Sequence, residues 1–341
     1  MTTQAQTART DWVDAAKGIG IVLVVYGHVA RGLHTAGLYP DDRAFALVDD
    51  VIYSFHMPLF FLLSGLFFQP SLDRYGARRL IGNKVDTLLY PYFLWSLIQG
   101  GIQMMLRGST STSITFGELV RIPWQPLDQF WFLYALFFIV VLFGVSLSWG
   151  PRGPVAWGLM ALLLIAYITG LNPPVPALSY IAHYGVFFAA GVLLAPHLRW
   201  LARLHGHAGA ALAAAGLFLG LQATFHVVAP WMGLGRGLAA FLLAMGSIFC
   251  VMLLAQAVKP APLGGLQALG RHSLGIYLMH ILFASGTRIM LSRVFGVHDF
   301  WVQLLGGVAV GLLGPLLLSV ALDRLRWNGL LTAPPKLRFS R

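Results

Sequence analysis

Apolar blocks of about twenty residues recur from one end of the chain to the other, parted by short polar connectors. A helix needs about that length to cross a hydrocarbon core roughly 30 Å thick. The pattern predicts spans near 12–31, 51–69, 87–106, 129–148, 154–171, 179–196, 208–230, 234–258, 272–295 and 301–323. The longest polar pieces are 32–50, 70–86, 107–128 and the tail from 324. Inside a bilayer every backbone N–H and C=O must find a partner within the protein, which leaves helices or a closed barrel. Barrel strands read as short alternating segments, whereas these blocks are long and uniformly apolar. The expected fold is all-α: a polytopic transmembrane helical bundle of about ten helices, forming one membrane-embedded domain over 1–341 with spans between residues 12 and 325.

Composition sharpens this picture. Apolar residues make up 57% of the chain and charged residues 10%, at a mean hydropathy of +0.74, too few charges to cover a soluble domain of this size. The net charge of +11 would suit nucleic acid, but most basic residues sit in short connectors, where positive charge sets topology. With the N-terminus inside, fifteen Lys and Arg residues fall on the cytoplasmic side and seven outside, with Lys17 inside a span. That bias places both termini in the cytoplasm; the expected location is an inner (plasma) membrane. Asp14 and Lys17 interrupt the start of the first span, and no small-residue cleavage pattern follows Tyr26-Gly27-His28, unlike a removable signal. The single cysteine, Cys250, lies in an apolar run. It excludes an intramolecular disulfide and a multi-cysteine metal site, and reads as a small buried hydrophobe.

Ionisable groups inside spans are costly and mark function. The first span carries Asp14, Lys17 and His28. At about 100° and 1.5 Å per residue, Lys17 and His28 share one helix face roughly 16 Å apart. Asp14 stands three residues before Lys17, a spacing that allows a pair. A snorkelling lysine and an interfacial histidine would account for this helix alone. The second span, entered from the outer side, puts His56 at a depth comparable to His28, which two unrelated interfacial residues explain less well. Pro58 follows, able to free backbone carbonyls, and then Ser64-Gly65, where a helix or a ligand can approach closely. Histidine can take a proton from a hydroxyl and return it, the general-base task. No third ligand stands at a metal-binding spacing, so no metal is expected; His205-Gly-His207 reads as a solvated connector. In the ninth span Ser273, Tyr277 and His280 form one stripe, which interhelical hydrogen bonding explains equally.

Six motifs follow in order. They are Asp14-Ala-Ala-Lys17-Gly18-Ile leading to His28, Phe55-His56-Met57-Pro58 leading to Ser64-Gly65, Leu89-Tyr90-Pro91-Tyr92, and Phe130-Trp131-Phe132-Leu133-Tyr134. Phe187-Phe188-Ala-Ala-Gly191 and Leu269-Gly270-Arg271-His272-Ser273-Leu274-Gly275-Ile276-Tyr277-Leu278-Met279-His280 complete the series. Across roughly 11–325 the chain resembles the acyltransferase-three family, integral-membrane enzymes that O-acetylate sugars, and most closely its fucose-4-O-acetylase-like branch. Many members carry arginine where Lys17 stands; lysine keeps the charge and lacks the planar fork.

The resemblance implies transfer of an acyl group from cytoplasmic acyl-CoA, usually acetyl-CoA, to a hydroxyl of a carbohydrate or glycan. Under it His28 is the general base. His56 orients that base, donates to the oxyanion or positions the acceptor, with Lys17 and Asp14 completing the polar face. Arg78, Arg79 and Lys84 suit CoA phosphates at the inner mouth and serve topology equally well. Ser64 and Gly65 would give the co-substrate its close approach. Tyr277 and His280 move toward a substrate-binding role, joined by Arg288 and Trp131, for which a snorkelling arginine and an aromatic belt are the simpler accounts. The expected partners are acyl-CoA, a carbohydrate acceptor and the lipid bilayer, without nucleic acid or metal; a homo-oligomer is compatible with the sequence. The alternative is a secondary transporter or flippase, since buried charges also line substrate paths. Against it, the two halves of the chain show no inverted repeat.

Overall fold

The computed structural model describes residues 2–105, 114–198, 207–228, 236–257 and 260–340. Among them the chain forms α1 (Thr2–Thr35), α2 (Asp42–Tyr53), α3 (His56–Leu66), α4 (Phe68–Lys84), α5 (Tyr90–Met105), α6 (Phe116–Val120) and α7 (Trp131–Ser146). It continues with α8 (Arg152–Ile168), α9 (Pro176–Leu194), α10 (Ala208–Ala223), α11 (Arg236–Ala257), α12 (Pro260–Arg271), α13 (Ser273–Ile289) and α14 (Phe300–Arg324). No strand occurs among the described residues.

Among the described residues eight helical stretches are long and apolar enough to cross a membrane, beginning at Asp11, Asp42, Asp128, Pro176, Ala208, Gly237, Ser273 and Phe300. The chain is a multi-pass membrane protein built as a helical bundle. Large apolar side chains such as Leu212 and Leu219 on α10 and Leu305 and Leu317 on α14 are exposed, a surface suited to lipid rather than water. The two remaining expected spans are helical but shorter. α8 has 17 residues, and α5 has 16, preceded by a π-helical turn at Val85–Leu89. α5 gives one face to buried Ser96, Gln99 and Gln103, which lowers its apolar content. The ends of the expected spans 87–106, 208–230 and 234–258 lie partly outside the described residues.

Three stretches expected as connectors are helices. Asp41 accepts from the backbone N–H of Arg43 and Ala44, which caps α2 and holds its carboxyl below the usual carboxylate range. The second crossing therefore starts at Asp42, not near 51, and bends at Ser54-Phe55 before α3 begins. Pro58 is the third residue of α3, where a missing N–H breaks no helical bond. α4 fills 68–84 and kinks at Gly76, whose φ of 70° favours glycine. α12 occupies most of the piece between the eighth and ninth spans.

The chain forms two compact units, Met1–Met57 with Leu198–Leu325, and Pro58–His197 with Arg326–Arg341. In the first, α1 packs against α11, α12, α13 and α14. A Cβ on Gly18 would collide with the Leu266 carbonyl, and one on Gly270 with that of Asp14, so α1 and α12 touch backbone to backbone. Gly307 and Gly311 of α14 instead receive the side chains of Val29 and Val25 of α1. In the second unit α7 packs on α4 and α9, around buried Phe61, Phe68, Phe143, Phe187 and Phe188. The C-terminal tail closes on this unit. Asp86, 2% exposed, accepts the N–H groups of Phe339 at 2.8 Å and Ser340 at 3.1 Å, and its backbone carbonyl accepts that of Ala333.

Candidate functional site

The polar face of α1 belongs to the first unit. Asp14, Lys17 and His28 are all half-buried. Asp14 and Lys17 act on one another electrostatically, as does Arg271 on Asp14. They do not close into a contact pair: among the described residues the ion pairs within 4 Å are Arg31–Asp49, His34–Asp42, Arg152–Asp73 and His272–Asp323. The helix spacing permits the pair, but no contact within 4 Å is made.

Three histidines gather around the C-terminal half of that face. The His28 and His280 rings lie 5.1 Å apart, inclined by 54°. His280, His56 and Arg31 are the groups whose charge acts on His28, and no carboxylate is among them. His56, at the start of α3, donates Nδ1–H to the Ile52 carbonyl at 2.8 Å; a carbonyl only accepts, so the proton sits on Nδ1. His56 is 2% and His280 0% exposed. His28 is densely surrounded but keeps some accessible surface as a residue.

Residues absent from the sequence-based candidates frame the cluster. Arg31 holds Asp49 through two hydrogen bonds, and its guanidinium sits 3.4 Å from the centroid of the Tyr53 ring. Tyr53 in turn stands edge-on to His56 at 4.5 Å, and its hydroxyl is buried without a hydrogen-bond partner. Arg31 comes three residues after His28, and Tyr53 three before His56. That spacing places each beside its histidine and was the available signal. Tyr277, 6% exposed, supplies a carbonyl that accepts from His280 Nδ1 at 2.8 Å. Arg288 lies half-buried near the end of α13, close enough to Arg293 for their charges to interact.

The other candidates lie in the second unit. Arg78 and Arg79 are exposed on α4 and Lys84 is half-buried at its end. Ser64 donates to the Phe60 carbonyl of its own helix at 2.8 Å. Gly65 faces Gly191 of α9, and a Cβ on either would strike the other helix's backbone; of the two readings of this small residue, helix approach describes what is there. Trp131 is half-buried, stacked on Tyr180 at 5.3 Å and inclined to Tyr184 at 4.8 Å. Beside it Asp128, held at a φ of 43°, accepts from Gln99 at 3.1 Å and Gln103 at 2.9 Å. Cys250 is fully buried. Among the described residues no group of three His, Cys, Asp or Glu side chains is placed to hold a metal. His207 is exposed ahead of α10, and His205 lies outside the described residues.

A membrane bundle with a cluster of buried histidines is compatible with either an enzyme or a carrier. Residues 10–320 match the family described as "Acyltransferase domain". The chain belongs to this family. Two curated relatives, both nodulation protein NolL, are similar to it. The one from Mesorhizobium japonicum is 26% identical over 194 residues, 55% of this chain and 48% of that protein. The one from Sinorhizobium fredii is 30% identical over 132 residues, 36% of this chain and 32% of that protein. The chain thus spans about half the length of the first and a third of the second. No solved structure matches.

Proposed function

We propose that the chain moves a short acyl group, acetyl in the first instance, from cytoplasmic acyl-CoA to a hydroxyl of a carbohydrate or glycan, with His28 as general base. The observation that carries this reading is the accessible surface that His28 keeps beside His56 and His280, which are almost wholly buried. A base must touch the proton it removes. His28 takes the proton of the acceptor hydroxyl as that oxygen attacks the thioester carbonyl. The tetrahedral adduct collapses with loss of the C–S bond, and His28 returns the proton to the departing CoA thiolate. No enzyme-bound acyl group is needed, and fully buried Cys250 is a poor nucleophile.

The remaining residues take roles from their chemistry. His56 has its Nδ1 proton committed to Ile52, so its neutral ring offers an acceptor at Nε2, suited to an acceptor hydroxyl rather than to an oxyanion. Lys17, about 16 Å down the same face, meets the donor from the cytoplasmic side, with both termini on that side of an inner membrane. Arg78, Arg79 and Lys84 provide cations for CoA phosphates. Trp131 and Arg288 remain candidates for holding the acceptor, and the carbohydrate class rests on the ordered sequence motifs.

The test is mass spectrometry of cell glycans with and without the protein, combined with purified protein, labelled acetyl-CoA and the glycan that changes. Label moving to that glycan supports the reading. A folded protein that leaves all label on CoA with every glycan offered contradicts it.

A further inference from the structure

His280 is fully buried, and its Nδ1 lies 2.8 Å from the Tyr277 carbonyl and 3.1 Å from that of Ile276. Both carbonyls can only accept, so Nδ1 carries the proton and the neutral ring presents a lone pair at Nε2. That Nε2 is buried and has no hydrogen-bond partner. Buried polar atoms are almost always paired, so an unpaired one in a sealed interior calls for a partner. The adjacent ring is that of His28, at 5.1 Å between centroids. Imidazoles joined by one N–H···N bond of about 2.9 Å have nearly this centroid separation, and such a bond does not require the two rings, here inclined by 54°, to be coplanar.

We infer that His280 is the positioning residue of the base: its Nε2 accepts an N–H from His28 and fixes the tautomer that leaves the other His28 nitrogen bare toward the accessible side. Among the described groups whose charge acts on His28, no other does this. The groups acting on His28 include no carboxylate, the His56 Nδ1 proton is held by Ile52, and Arg31 is held by Asp49. When His28 takes up the acceptor's proton it becomes an imidazolium with two N–H groups. Nε2 of His280 then accepts the inner one while the outer one faces the departing thiolate. A backbone-anchored neutral histidine thus takes the place that a carboxylate holds in other base–orienter pairs. The two backbone bonds to Nδ1 lock His280 itself, since either carbonyl forbids the flipped tautomer.

This inference rests on the proposed role of His28, and its test separates the two. The protein, with ring-15N histidine, is examined in detergent by NMR without substrate, and by steady-state kinetics with labelled acetyl-CoA. In the wild type His28 is expected as one neutral tautomer; in His280→Leu it becomes a mixture of two. kcat falls on the order of 100-fold, the scale of a general base's contribution, with KM for acetyl-CoA unchanged. His280→Gln, which restores an acceptor at the end of the side chain, is expected to recover at least a tenth of the wild-type kcat and the single tautomer. Wild-type kcat in folded His280→Leu overturns the inference, as does an unchanged His28 tautomer. So does His280→Gln that melts like the wild type but leaves His28 in both tautomers, a comparison that stands even where His280→Leu fails to fold. Absence of acyl transfer in the wild type overturns the proposed function, and the tautomer measurement still tests the pair.

Discussion

Arg31 and Asp49 meet fork to fork, with Nε and Nη2 2.7 and 2.8 Å from the two carboxylate oxygens. The same guanidinium covers Tyr53, whose ring abuts His56. One side chain on α1 therefore fixes α2 and, through it, the second histidine. Arg31→Lys keeps the charge and loses both the fork and the flat stacking surface. Because the Arg31 side chain is 44% exposed, the ion pair itself contributes only about 0.2–1 kcal/mol, and the melting temperature should move little. kcat should fall on the order of 10-fold as Tyr53 and His56 lose their register. A kinetic and thermal comparison in detergent checks this. A lowered melting temperature with unchanged kcat would make the clamp purely structural.

Gly65→Ala and Gly191→Ala each place a Cβ against the carbonyl of the opposite helix, Phe188 and Leu62 respectively. Backbone cannot yield as a side chain tip does, so each should destabilise by about 1–3 kcal/mol. Together they should cost less than the sum, because both open one crossing. Gly216→Ala is the control. Its Cβ meets open space, and helix propensity predicts a gain of up to about 1 kcal/mol. Thermal unfolding of the four proteins distinguishes close helix approach from a ligand contact, which would alter KM for the donor and leave stability unchanged.

The crossings and the α1 face were legible in the sequence because hydropathy and a 3.6-residue period are local. α2, α4 and α12 were not, since Asp42, Asp49 and Asp50 in α2 and the basic run of α4 lower hydropathy without ending a helix. Asp41 at the N-cap was the local signal for α2. Among the site residues, Lys17 and His28 stand where one helix fixes them. The Arg31–Asp49 clamp, the Gly65–Gly191 crossing and the meeting of His28 with His280 join positions far apart in the chain, and periodicity carries nothing about which helices become neighbours. Trp131 was marked for a sugar, and the structure packs it among Tyr180 and Tyr184, a use that its half-burial leaves compatible with an exposed edge.

Asp86 holds the C-terminal tail through backbone N–H groups of Phe339 and Ser340, while Tyr90 and Trp95 donate to the carbonyls of Gly329 and Leu330. Asp86→Ala removes the acceptor for two amides, a loss of about 1.5–3 kcal/mol for each hydrogen bond to a charged group. The tail should detach locally without unfolding the helices. Hydrogen exchange at Phe339 and Ser340 should rise at least tenfold, with the melting temperature lowered only slightly. Unchanged exchange there would mean that the neighbouring contacts suffice.

The most direct measurement is kcat for acetyl transfer by purified His28→Ala that melts like the wild type, with labelled acetyl-CoA and the identified glycan. A general base contributes about 10²–10⁴-fold, so kcat should fall within that range while KM for acetyl-CoA stays close to the wild-type value. A folded His28→Ala protein that transfers acetyl groups at the wild-type rate would contradict the central claim.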